Sequence, residues 1–174
     1  MGPVDPQDPD RRQRMVSTAG EALAAAQAGD DGAAISLLTT FVDTSPAGDV
    51  DGKELVLMLF RECSEMVAAL GSGGATPVKM QVYDADGQEV SIDDADPPVR
   101  TAVRTLLAEV HGDQDAAREQ IDIALSTAAP SEVAAVVMQA LRWTIRLATE
   151  CTNRDLPVAG WIAEALEVEE PDSD

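Results

Sequence analysis

A chain of 174 residues fits about one domain and is long enough to bury a sizeable core. Apolar residues make up 45% and charged residues 25%, the balance of a globular protein, and no apolar run approaches the roughly 18–20 residues of a membrane span. A net charge of −20 disfavours direct contact with nucleic acid or anionic lipid, and one His with two Cys 88 positions apart excludes histidine-rich zinc sites and CxxC chemistry.

Residues 1–16 hold three Pro and balanced charges, and read as a flexible N-terminal tail. There is no apolar stretch of signal-peptide type in MGPVDPQDPDRRQR, so a cytoplasmic location with free thiols at Cys63 and Cys151 is expected. Ser17 or Thr18 caps a helix with body Glu21 to Ala28, ended by Gly29. Asp30 or Asp31 starts a second helix with Ala34, Leu37, Leu38, Phe41 and Val42 on one stripe, closed by Pro46 and Gly48. A third runs from about Gly52 to Leu70, with Lys53, Arg61, Glu62 and Glu65 on its wetter side. Gly71-Ser72-Gly73-Gly74 breaks the pattern and lacks the Lys-Ser/Thr of a phosphate loop.

Residues 77–92 carry the β signal. Val78, Met80 and Val82, then Val90 and Ile92, alternate with polar neighbours around the turn Asp84-Ala85-Asp86-Gly87. Such a hairpin needs helices or another chain to pack on, and its edge offers a homodimer by strand addition. Asp96-Pro97-Pro98 opens a further helix. Helices follow at about 98–111, 114–127 and 131–152, the last capped by Ser131, with a shorter one at 157–168. His111 precedes Gly112 at a helix end and reads as a capping residue. Residues 169–174 form an acidic tail.

The two halves echo each other. LAAAQAGDDGAAISLLTTFVDTSP at 23–46 aligns with LLAEVHGDQDAAREQIDIALSTAAP at 106–130: Gly29-Asp30 with Gly112-Asp113, Ala33-Ala34 with Ala116-Ala117, and Leu38 with Ile121, at a constant offset of 83. Gly29, Ala34, Leu38 and Pro46, and less closely Gly112, Ala117, Ile121 and Pro130, resemble the inner part of a tetratricopeptide repeat. The first helix of each pair departs from that pattern, lacking its aromatic and Leu-Gly positions, and copies 83 residues apart are not a tandem array. The resemblance implies a helical scaffold that binds a partner. The fold expected is mainly α, a helical bundle or short solenoid of two similar halves. The halves are 17–70 and 97–168, with one β-hairpin inserted between them, in a single domain over 17–168.

Chemistry is sparse. Glu62 and Glu65, and Glu119 and Asp122, are i, i+3 carboxylate pairs of the kind that share a hard cation, which admits a metal-dependent hydrolase of nucleotides or phosphate esters. A chain with 32 acidic residues produces such pairs by accident, so no metal or other cofactor is assigned. Cys63 on an apolar stripe reads as a small hydrophobe. The helix at 131–152 bears the polar stripe Gln139, Arg142, Arg146 and Glu150 beside Trp143, and Arg100 and Arg104 form a second basic pair. These arginines serve either ion pairs with the surplus acid or, with Trp143, an anchor for a partner. Few aromatics and a single imidazole argue against catalysis. The reading that follows is a non-catalytic protein–protein interaction module whose partner is another protein; the charge permits a basic one and does not require it. The alternative is an acidic mimic of nucleic acid that occupies a basic protein, built on Asp84, Asp86, Glu89, Asp93, Asp94 and Asp96.

Overall fold

The computed structural model describes residues 9–45, 48–71, 82–83, 88–91, 96–127 and 129–167. They form an all-α bundle of α1 (Pro9–Gln27), α2 (Asp31–Thr44), α3 (Gly48–Leu70), α4 (Pro97–Val110), α5 (Gln114–Thr127), α6 (Pro130–Asn153) and α7 (Gly160–Glu167). Among the described residues the first helix packs against the last, with α1 on both α6 and α7. The arrangement is therefore a closed bundle and not an open solenoid.

The first helix begins at Pro9, eight residues before the expected cap at Ser17, so 9–16 belong to a packed helix and not to a tail. Proline suits a first helical turn because its missing N–H has no partner there anyway. Arg11 then turns inward: its Nε donates to Asp51 Oδ1 at 2.6 Å, with both side chains over 90% buried. One turn on, Met15 is buried as well. The sequence pattern missed this because the residue that docks the segment is charged and its partner lies 40 positions away.

Both αα-hairpins close in the same way. Gly29 (φ +85°) and Gly112 (φ +77°) take the left-handed conformation that a Cβ disfavours. Asp30 N–H donates to Ala25 O and Gly29 N–H to Ala26 O; Asp113 N–H donates to Ala108 O and Gly112 N–H to Glu109 O. These are paired Schellman closures. Each Asp then caps the next helix, Asp30 Oδ1 accepting from Ala33 N–H and Asp113 Oδ1 from Ala116 N–H, both at 3.0 Å. The echo extends beyond the turns. Ala19 and Ala102, Leu23 and Leu106, Ala34 and Ala117, and Met58 and Leu141 are all buried pairs at the same offset of 83. Phe60 and the half-buried Trp143, at the same offset, meet edge to face with centroids 6.3 Å apart where α3 crosses α6.

At the centre, α3 is covered on every side: Leu55, Val56, Leu57, Met58, Leu59 and Phe60 are consecutive and all buried. A helix apolar all round belongs in the interior, and the expected single stripe gives way there. It begins at Gly48 and not at Gly52, because α2 ends directly on it. A Cβ on Gly48 would stand 2.2 Å from the Val42 carbonyl oxygen, and one on Gly52 2.8 Å from Val42 Cγ2. Asp96 occupies the N-cap of α4 without a side-chain hydrogen bond. Ala129, not Ser131, is the N-cap of α6.

The inserted β-hairpin expected over 77–92 is not supported. Among the described residues only Val82 pairs with Val90 and Tyr83 with Glu89, and most of that stretch lies outside them. Two residues on each side are below the length at which strands stand alone. No helix among the described residues is long and apolar enough to cross a membrane.

Candidate partner-binding groove

Four helices build a groove of about 670 Å³. From α2 come Leu38, Phe41 and Val42; from α3, Val50; from α5, Leu125; and from α6, Val137. The glycines at 48 and 52 seat the end of α2 on the start of α3, and α5 stands on the opposite wall. Its floor is core, with Leu55 and Val56 buried, but its rim is open. Val50 is 51% exposed and Leu125 41%, and Ile123, also on α5, is 50% exposed. Apolar side chains left in water around a concave, mostly apolar surface are the usual mark of a binding site.

The two charged residues of the lining are tied to each other, and a second ion pair joins α5 to α3. Lys53 Nζ donates to Asp122 Oδ1 at 2.7 Å, and Arg118 donates to Glu54. The hydrogen bond to Glu54 is also the main reason the Arg118 guanidinium is held more firmly in its charged form. The two flanking helices are acidic. With its cap, α2 carries Asp30, Asp31 and Asp43 and no Lys or Arg, while α5 carries Asp115, Glu119 and Asp122 against Arg118. A second depression, about 880 Å³ between α1 and α2, is lined by apolar carbon together with the hydroxyl residues Ser17, Thr18, Ser36, Thr40, Thr44 and Ser45. Among the described residues the exposed large apolar side chains Val50 and Leu125 stand on the first groove and none stands on the second, so the first gains more from being covered.

The four carboxylates singled out for metal chemistry are not brought together. Glu62 and Glu65 lie on α3 nine and more residues beyond Lys53, and it is Lys53 that holds Asp122. At 1.5 Å of rise per residue, Glu62 begins about 13 Å along α3 from Lys53. Among the described residues no three His, Cys, Asp or Glu side chains are grouped to hold a metal ion. Burial, then the neighbouring Glu65, raises the Glu62 carboxyl above its ordinary range, with Arg12 and Arg61 pulling it back. Of the acids on which a nucleic-acid mimic was built, Glu89 and Asp96 are exposed, and Asp84, Asp86, Asp93 and Asp94 lie outside the described residues.

The arginine anchors are partly absorbed by the fold. Arg142 donates to Asp31 Oδ2 at 2.8 Å, joining α6 to the start of α2, and Trp143 is half-buried against Phe60. Arg146 is exposed, and Arg100 and Arg104 each have interactions within the chain. His111 is the C-cap of α4 and exposed, and Cys63 and Cys151 are free and buried. The sequence reading missed the groove, although α5 carried a signal for it. Leu125 lies off the buried stripe Ala117, Ile121 and Ala124, and an apolar residue off the stripe is left facing solvent.

Comparison with protein-family models, with curated proteins and with solved structures gave no match, so the functional reading rests on the chain's own chemistry.

Proposed function

We propose that this chain is a non-catalytic protein–protein interaction module, a helical scaffold that holds a partner polypeptide in the groove between α2 and α5. The open apolar groove carries the reading: Val50 and Leu125 are half in water at its rim while the surface beneath them is core. Covering one such side chain is worth about 1.5–3 kcal/mol if complete, and roughly half that from its present exposure. A groove rimmed by two of them therefore supplies a few kcal/mol toward association.

The test is differential capture. The chain and a Val50→Asp/Leu125→Asp variant are used as paired baits in an extract of the source cells and washed at high salt. Any protein held by the first and lost by the second is then purified and its binding reconstituted. Reconstituted binding that needs the groove supports the module. Capture indifferent to the two substitutions, with the variant's circular dichroism unchanged, removes the groove from the argument.

A further inference from the structure

We infer that α7 is a strap. It leaves α1 as a unit while α1 to α6 stay folded, and its departure uncovers an apolar strip of α1 around Val16, Gly20 and Leu23. The inference is independent of the α2/α5 groove and of the reading built on it.

The six preceding helices close on themselves without α7. From the first half, α3 packs on α4 of the second; from the second, α6 packs on α1 of the first; and α3 packs on α6. The offset of 83 would carry α7 back to residues 77–84, whose described members Val82 and Tyr83 are extended. The strap is therefore an addition to the two-halved body. It rests chiefly on one helix, α1, and touches α6 little although α6 precedes it. Ile162 is its anchor, with no exposed surface, and Ala165 follows one turn on. Gly20 makes room for that turn: a Cβ there would lie 3.7 Å from Ala165 Cβ. Val16 and Leu23 stand one turn to either side of Gly20 along the same face of α1.

Eight residues make too short a helix to hold itself in water, so α7 is helical only where it is docked and comes away whole. Two features of the docked state work against it. The end of α6 closes with the same pair of hydrogen bonds as the two αα-hairpins, Leu156 N–H to Cys151 O and Asp155 N–H to Thr152 O. The left-handed residue there is Asp155 (φ +58°), where both hairpins place glycine. In the first turn of α7, Trp161 Nε1 is buried with no hydrogen-bond acceptor among the described residues. A short element held from one side, with a strained approach and an unanswered buried donor, opens before the body it rests on. It is the part of this fold that a binding event can displace without unfolding the bundle.

The test is native-state hydrogen exchange of the full chain, read at single amides by NMR across sub-denaturing urea. The amides of Ile162 and Ala163, which both donate to Ala159 O, report α7, and those of Leu57 to Phe60 report α3. The α7 amides are expected to exchange at least about a hundredfold faster than those of α3, at a rate almost flat in urea because little surface is exposed by the opening. Ile121→Val, in the buried stripe of α5 and away from α7, should speed α3 about fivefold and leave α7 unchanged, since it weakens the strapped and unstrapped forms alike. Ile162→Asp, which forbids docking, should strip protection from α7 while α3 stays protected.

Amides of α7 that follow urea as steeply as those of α3, or that Ile121→Val speeds by the same factor, would overturn the inference, for α7 would then open only with the whole chain. Loss of protection in α3 of Ile162→Asp would overturn it too, because the six helices would need α7 to stand.

Discussion

Replacing Arg11 with Met, or Asp51 with Ala, tests whether the N-terminal segment is truly part of the fold. The Nε–Oδ1 distance of 2.6 Å and side-chain exposures of 7% and 3% make this a buried ion pair. Removing one member of such a pair commonly loses about 3–5 kcal/mol, because the other charge remains buried without compensation. The two ends have different escapes. With Asp51 gone, Arg11 reaches water if the first turns of α1 fray, at the expense of little more than the buried Met15, worth about 1.5–3 kcal/mol. With Arg11 gone, Asp51 is freed only by lifting the start of α3 from Val42, against which Gly48 and Gly52 are packed. Asp51→Ala should therefore lose about 2–3 kcal/mol and Arg11→Met about 3–5, while the double variant, with no orphaned charge, should lose clearly less than the two added together. Urea unfolding followed by far-UV circular dichroism measures all three. Single losses below about 1 kcal/mol that simply add in the double variant would refute the reasoning and return residues 9–16 to a solvated tail.

Gly29→Ala and Gly112→Ala meet no atom within 4 Å, so each should lose only the left-handed backbone strain, about 1 kcal/mol, and the two losses should match in thermal melts. The Glu109 carboxyl is 3% exposed, and Arg61 Nε stands 3.9 Å away, too far for a hydrogen bond. Burial raises this carboxyl above its ordinary range, against the pull of Arg61 and Arg118. The folded state then takes up this proton at a higher pH than the unfolded chain does, so acidification from neutrality stabilises through this group. Glu109→Gln should accordingly gain about 1 kcal/mol at pH 7, a gain that shrinks in urea titrations as the pH falls. Burial pushes the Cys63 thiol up to about 12 from 9.0, the hydrogen bond with Thr144 acting the other way. Native protein should resist iodoacetamide at neutral pH. Above about pH 9 the unfolded thiol ionises while the folded one does not, so stability should fall by about 1.4 kcal/mol per pH unit, a slope missing from Cys63→Ala. Rapid alkylation of the folded chain would contradict the burial.

Where local chemistry is decisive, the sequence and the structure agree. Gly29-Asp30 and Gly112-Asp113 announce their turns because a left-handed residue followed by a capping carboxylate is solved within six residues of chain. The offset of 83 that those dipeptides define also aligns buried residues in the flanking helices. The run Leu55 to Phe60 already contained its own correction: six consecutive apolar residues cannot share one face of a helix, and α3 is central because it must be covered all round.

The sequence by itself determined that the chain is helical, where most helices start and stop, and that its net charge is strongly negative, for these follow from capping, periodicity and the sum of side-chain charges. Only the tertiary structure decided which charges are spent internally and which apolar residues are left over. Arg11 and Asp51 are 40 residues apart, Arg142 and Asp31 111, Lys53 and Asp122 69, and no periodicity predicts such meetings. The groove belongs to the same class. Val50 and Leu125 are ordinary apolar residues in any window of sequence, and they become a candidate site only because the packing of four helices leaves the space between them open to water.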